Sequence, residues 1–62
     1  MQAAARRTFG EGVTIERNLE GGLYLSTGCW YVTPRQLEYM SNFAAIERVY
    51  IDGTAIGIEF KR

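Results

Sequence analysis

Residues 23–40 read LYLSTGCWYVTPRQLEYM, and this stretch decides the fold. Residues 23–26 and 29–32 are short apolar and aromatic runs of the kind that form β-strands. Thr27-Gly28 between them predicts a two-residue hairpin turn, which pairs Leu25 with Trp30 and Tyr24 with Tyr31. We therefore expect Leu25 and Trp30 on the buried face of a hairpin, with the two tyrosines on the opposite face.

A helix start follows directly. Thr33 is a favoured N-cap residue, Pro34 suits the first helical position, and Gln36 completes a capping box with Thr33. We predict a helix from Pro34 to a residue between 42 and 45, with Asn42 as a candidate C-terminal cap. Two apolar stripes at helical spacing lie side by side on it. The first is Leu37, Met40 and Ala44, and the second is Tyr39, Phe43 and Ile46.

Toward the N-terminus, residues 13–19 begin with alternating apolar and polar residues, which predicts a further strand. A three-residue loop at 20–22 pairs Leu19 with Leu23 and keeps the apolar positions of both strands on one face, whereas a two- or four-residue loop would put Leu23 and Leu25 on the wrong side. Residues 1–12 carry two glycines and no clear apolar stripe, so we predict a flexible arm there and a single domain over residues 13–62. The alternative is an arm that reaches a partner subunit through Phe9.

Toward the C-terminus, residues 47–61 form a second predicted hairpin around Asp52-Gly53, a strong turn signal. A two-residue loop would pair Val49 with Ile56. A four-residue loop, taken as Asp52 to Ala55, pairs Ile51 with Ile56, Val49 with Ile58, and Tyr50 with Gly57, and it gives the better partners.

The resulting fold class is α+β: a small antiparallel sheet packed on one α-helix, in the order β-β-β-α-β-β. The pattern leaves open whether the two hairpins share one sheet. The predicted core comprises Val13, Ile15, Leu23, Leu25, Trp30, Val32, Leu37, Met40, Ala44, Val49, Ile51, Ile56, Ile58 and Phe60.

Composition argues against most chemistry. The 62 residues contain one cysteine and no histidine, so the commonest general base and metal ligand is absent and no intrachain disulfide can form. Cys29 has no neighbouring base that would activate it as a nucleophile. We predict no enzymatic activity, no catalytic residue, no metal and no cofactor. With no long apolar run and no secretory signal pattern, we expect a cytoplasmic protein.

The net charge is zero, but the charges are uneven. Between Thr8 and Phe60 there are three basic and seven acidic residues. The remaining basic residues are Arg6, Arg7, Lys61 and Arg62. A nucleic-acid site usually needs a basic face. Nucleic-acid binding, by stacking of single-strand bases on sheet tyrosines with help from these four residues, is therefore the disfavoured alternative.

The sequence favours a small protein-binding module. Tyrosine is enriched at protein interfaces because it adds large area with one polar handle. The candidate partner-binding residues are Tyr24, Tyr31 and Tyr50 on the sheet, and Tyr39 and Phe43 on the helix flank. The hypothesis is a regulator or inhibitor, of the size common among phage and mobile-element proteins, that occupies a partner protein's surface. A homodimer would add buried area to so short a chain, and a self-assembling structural subunit is the remaining alternative.

Overall fold

The computed structural model describes residues 1–61, which form two α-helices and one four-stranded antiparallel sheet. The helices are α1 (Gln2–Phe9) and α2 (Pro34–Ser41). The strands are β1 (Thr14–Arg17), β2 (Leu23–Ser26), β3 (Ile46–Asp52) and β4 (Ala55–Phe60), in the spatial order β1-β2-β4-β3. The α+β class and the antiparallel sheet are confirmed. The predicted strand count and helix count are wrong, because this part of the chain has one strand fewer and one helix more.

The strand predicted at residues 29–32 does not form. Strand β2 pairs with β1 on one side and with β4 on the other, so neither of its edges can accept a third partner. Beyond β2 the chain stays beside β4: the Thr27 amide donates to the Ile56 carbonyl at 3.0 Å, and the Ile56 amide donates to the Cys29 carbonyl at 2.8 Å. Trp30 then leaves the sheet and is 78% exposed, so its placement in the core and opposite Leu25 is wrong.

The N-terminal segment, expected to be a flexible arm, forms α1 and packs into the core. Ala5 is fully buried and Phe9 is 8% exposed within its own chain. Two contacts hold the carboxyl end of the helix: Gln36 Nε2 donates to the Thr8 carbonyl at 3.2 Å, and Cys29 Sγ donates to the Phe9 carbonyl at 3.3 Å. The apolar stripe that anchors α1 is narrow and built partly of alanine, which explains why hydrophobic patterning alone does not reveal it.

Helix α2 begins as predicted. The Thr33 hydroxyl accepts a hydrogen bond from the Gln36 amide, the Gln36 side chain accepts one from the Thr33 amide, and Asn42 caps the other end. These local hydrogen bonds satisfy backbone donors that the first helical turn leaves unpaired.

The registers of the two hairpins follow the predicted parity. Strands β3 and β4 pair Ile51 with Ile56 and Tyr50 with Gly57, which confirms the preferred register of that hairpin. Strands β1 and β2 pair Ile15 with Leu25, so those two share a face as expected. Their loop spans residues 18–22, however, and the predicted pairing of Leu19 with Leu23 is wrong.

Both helices pack on one face of the sheet. The buried cluster unites Ala5 and Phe9 of α1 and Met40 of α2 with Leu25 and Ile58 of the sheet. Val49 and Ile51 belong to the same sheet face by register, yet they are 39% and 75% exposed. Strand β3 lies at the edge of the sheet, beyond the helices, and this position overturns the prediction that Val49 and Ile51 are core residues.

Candidate binding surface

The sheet face opposite the helices carries an ordered group of polar and aromatic side chains, which we call the tyrosine face. It comprises Tyr24 of β2, Arg48, Tyr50 and Asp52 of β3, and Gly57 and Glu59 of β4. Side chains alternate between the two faces of a strand, so these positions point away from Leu25, Val49 and Ile58. Neither helix of the described chain packs on this face.

Tyr24 and Tyr50 meet over Gly57. Tyr24 lies on β2 and Tyr50 on β3, and β4 runs between them. Their ring centroids are 5.9 Å apart with planes inclined by 27°. A Cβ atom on Gly57 would lie 3.1 Å from Tyr24 Cε1 and 3.2 Å from Tyr50 Cζ, closer than ordinary van der Waals contact. The glycine therefore provides the space in which two rings from non-adjacent strands approach each other.

The Tyr24 hydroxyl is fixed by a carboxylate. It donates a hydrogen bond to Asp52 Oδ2 at the end of β3. This bond, with a smaller contribution from burial, raises the pKa of Tyr24 well above its usual value of 10.0. An ionised phenol could not donate to the carboxylate and would be repelled by it, so Tyr24 stays a protonated donor throughout the physiological pH range.

Arg48 contacts both an acidic and an aromatic side chain of the tyrosine face. Its Nε lies 2.9 Å from Glu59 Oε1, and its guanidinium carbon lies 4.7 Å from the centre of the Tyr50 ring. A guanidinium over an aromatic face is a favourable cation–π arrangement. The four side chains Tyr24, Tyr50, Arg48 and Asp52 are thus each held by at least one neighbour, so this surface is ordered before any partner arrives.

A groove of about 450 Å³ adjoins the tyrosine face. It lies between the 18–22 loop and the ion pair of Arg48 with Glu59. Leu19 on its rim is fully exposed, with no shielding from the rest of the described chain. The groove shares Arg48 and Glu59 with the tyrosine face.

The other predicted partner-binding residues lie elsewhere. Tyr31 follows Trp30 in the segment after β2 and contacts its ring edge-on at a centroid distance of 4.8 Å. Its predicted position beside Tyr24 on the sheet is wrong, because the strand that would have carried it does not form. Tyr39 and Phe43 contact each other edge-on at 5.4 Å at the end of α2. The sheet therefore brings together Tyr24 and Tyr50, whereas Tyr31 and the helix-flank pair are separate features.

The basic residues are also divided. Arg6 and Arg7 are exposed in the last turn of α1, on the helix side of the sheet, and Lys61 follows β4. Arg62 lies outside the described residues. Within strands β1 to β4, the side of the sheet that includes the tyrosine face carries one basic side chain, Arg48, against Glu16, Asp52 and Glu59.

Four exposed apolar residues were not among the predicted contacts: Val49, described above, and three that are more exposed. Trp30, Ile51 and Leu19 are 78%, 75% and 107% exposed. Alternation in the sequence marked Trp30 and Ile51 as core, and it could not show that one leaves the sheet and the other lies at its edge.

Residues 1–61 contain no helix long and apolar enough to cross a membrane.

Comparison with known protein families, curated proteins and solved structures finds no match for this chain.

Proposed function

We propose that this protein is a non-enzymatic protein-binding module whose principal contact is the tyrosine face. The observation that carries the proposal is the Tyr24–Tyr50 pair, held over Gly57 by ring stacking and by the bond to Asp52 on a sheet face that the helices leave open. Rings that are already fixed lose little conformational freedom on binding, so more of their contact energy becomes affinity. Tyrosine and arginine, together with tryptophan, are also the residue types enriched at binding hot spots.

The adjoining groove supplies the second part of the contact. A flat aromatic surface beside a concave region suits a partner that lays backbone or an apolar face on Tyr24 and Tyr50 and inserts a side chain next to Arg48 and Glu59. In this proposal the protein acts in the cytosol as a regulator or inhibitor, of the phage or mobile-element type, by covering a functional surface of its partner.

The helix-flank pair is the weaker candidate within the same function. Tyr39 and Phe43 are 37% and 45% exposed and contact each other edge-on. No acid–hydroxyl bond like that of Tyr24 with Asp52 orients them in the described chain. They serve as the natural comparison in an experiment.

Nucleic-acid binding fits the geometry less well. The tyrosines and the Arg6–Arg7 pair are on opposite sides of the sheet, and the tyrosine face has more acids than bases. A single strand stacked on Tyr24 and Tyr50 would have its phosphates close to Asp52 and Glu59, where like charges repel.

The test is capture of binding proteins from a lysate of the source organism by the tagged protein, quantified by mass spectrometry. The lysate is divided into nuclease-treated and untreated halves. The variants are Tyr24→Ala with Tyr50→Ala, the matched control Tyr39→Ala with Phe43→Ala, and Arg6→Ala with Arg7→Ala. Circular dichroism first verifies that each variant is folded.

We expect one defined protein to be captured in both halves and lost with the sheet pair alone. A hot-spot residue costs about 2 kcal/mol or more when truncated, so affinity for the purified partner should fall at least about 30-fold. Loss with the helix-flank pair alone would move the site to α2. Capture that disappears with nuclease and depends on Arg6 and Arg7 would replace the proposal with nucleic-acid binding.

A further inference from the structure

Strand β3 lies at the edge of the sheet and has one side that no other described strand covers. It is the last strand in the order β1-β2-β4-β3, so one side pairs with β4 and, among residues 1–61, no strand covers the other. A register shift between Ile46 and Arg48 interrupts the beginning of the strand and leaves Arg48 to Asp52 regular. Soluble proteins commonly protect such edges with lysine, proline or very short strands. Here the regular part carries the exposed apolar residues Val49 and Ile51.

The hairpin register shows which backbone groups face outward. Asp52 and Ala55, the two ends of the predicted loop, pair with each other across a turn made by Gly53 and Thr54, and Tyr50 pairs with Gly57. The closing pair of such a turn exchanges both its hydrogen bonds, and hydrogen-bonded and non-bonded pairs then alternate along an antiparallel ladder. The amide and carbonyl groups of Tyr50 and Asp52 therefore point toward β4, whereas those of Val49 and Ile51 point to the free edge.

The side chains on this segment are complementary to a second copy of themselves. If two β3 strands run antiparallel with Tyr50 at the two-fold axis, Val49 of each copy lies opposite Ile51 of the other, and Arg48 lies opposite Asp52. Two apolar pairs and two oppositely charged pairs are the favourable cross-strand combinations. The outward amides and carbonyls of Val49 and Ile51 would form the hydrogen-bonded pairs of the new ladder.

We infer that the protein forms a homodimer by antiparallel pairing of the β3 edges in this register. Existing bonds do not prevent it. Arg48 uses Nε toward Glu59, and a guanidinium has five N–H donors, so its terminal nitrogens can reach a second carboxylate. Asp52 accepts from Tyr24 through Oδ2, and a carboxylate can accept several hydrogen bonds.

The dimer also changes the tyrosine face. Pairing about a two-fold axis perpendicular to the sheet keeps all helices on one side and the tyrosines of both copies on the other. Tyr50 would meet its counterpart at the axis, so that two Tyr24–Tyr50 pairs form one row of four rings. The dimer does not depend on the proposed partner, and either proposal can fail alone.

The first measurement is sedimentation equilibrium of the whole chain from about 10 μM to about 1 mM, which covers micromolar to millimolar affinities. We expect the mass to rise from 7.0 kDa toward twice that value. With Ile51→Lys the mass should stay at the monomer value, because a lysine would replace the isoleucine in both of the apolar pairs that join the two copies. Leu19→Lys, at an even more exposed apolar position outside the edge, is the control and should dimerise normally.

A charge-exchange experiment tests the register. Arg48→Asp alone places acids opposite Asp52 in both pairs, and Asp52→Arg alone places arginines opposite Arg48. Each variant should remain monomeric by itself, with folding verified by circular dichroism. An equimolar mixture restores one opposite-charge pair at each position, so it should form a heterodimer detectable by native mass spectrometry.

Amide exchange gives an independent readout. The Val49 and Ile51 amides should become protected as concentration rises, whereas the Tyr50 amide, bonded to β4, should be protected at every concentration. A chain that stays monomeric to about 1 mM overturns the inference. So does a dimer that is insensitive to Ile51→Lys, or a mixture of the charge variants that fails to pair.

Discussion

The substitution Gly57→Ala tests whether Gly57 provides the space in which the rings of Tyr24 and Tyr50 meet. The added Cβ would lie 3.1 Å from Tyr24 Cε1, 3.2 Å from Tyr50 Cζ and 3.3 Å from the Tyr24 hydroxyl. Ordinary carbon contacts lie at about 3.5–4.0 Å, so both rings must move outward by a few tenths of an ångström. That movement separates the rings and pulls the Tyr24 hydroxyl from Asp52.

Two opposing effects set the magnitude. Alanine in a strand interior is about 0.5–1 kcal/mol more favourable than glycine because it restricts the unfolded chain. Loss of the ring contact costs about 0.5–1.5 kcal/mol, and loss of the Tyr24–Asp52 hydrogen bond costs about 0.5–1.5 kcal/mol. The losses exceed the gain by about 1 kcal/mol, which lowers the melting temperature of so small a domain by about 4–8 °C.

The assay is urea unfolding followed by far-UV circular dichroism, in the wild-type background and in a background with Tyr24→Ala and Tyr50→Ala. Without the rings the same Gly57→Ala change should stabilise the protein by about 0.5–1 kcal/mol. Gly12→Ala is the control, since its Cβ would meet nothing nearer than Gly28 Cα at 4.0 Å. If Gly57→Ala is equally stabilising in both backgrounds, the rings do not meet over Gly57 and the reasoning fails.

Three further changes test the fold and the site. Phe9→Ala should cost about 3–5 kcal/mol in urea unfolding because Phe9 is buried, whereas Phe43→Ala at a 45% exposed position should cost under about 1 kcal/mol; equal costs would contradict the packing of α1. Leu25→Ala should lower stability by about 2–5 kcal/mol and Trp30→Ala by only about 0.5 kcal/mol, and the reverse ranking in thermal melts would return Trp30 to the core. The difference between alkaline ultraviolet titrations of the wild type and Tyr24→Phe should place the Tyr24 ionisation well above pH 10, and ionisation near pH 10 would refute the Asp52 bond. Because the unfolded chain loses the tyrosine proton at a lower pH than the folded chain, the stabilisation from this bond is complete below pH 10 and declines as the pH rises above it.

Local chemistry and side-chain alternation predicted much of the fold. The Thr33–Gln36 capping box needs only residues three positions apart, so the start of α2 could be located from sequence. The β3–β4 register follows from Asp52-Gly53 and from matching apolar partners, and both signals are contained in fifteen residues. This register also placed Tyr50 across from Gly57, on the side away from the core.

Competition for strand edges could not be predicted in the same way. Residues 29–32 have a strand-like pattern, but β4 occupies the edge of β2 that they would need, and β4 lies some thirty residues later in the chain. The same exchange of partners brings Tyr24 next to Tyr50 in place of Tyr31. The sequence could therefore place Tyr24 and Tyr50 on the sheet face away from the core, because the face of each residue follows from local alternation. It could not predict that the two tyrosines meet, because strand order is a property of the whole chain.

The lengths of the elements explain why an apolar edge remains exposed. An eight-residue helix is about 12 Å long, whereas the seven residues of β3 extend about 23 Å. Whatever its direction, a helix of that length cannot cover such a strand from end to end. A chain selected to be monomeric would place polar residues on the uncovered part, as natural edge strands usually do. Val49 and Ile51 instead alternate with Arg48 and Asp52, whose charges are opposite and symmetrically placed about Tyr50. Exposure alone would indicate only an uncovered surface, but exposure together with this two-fold pattern of charge indicates a second copy of the chain.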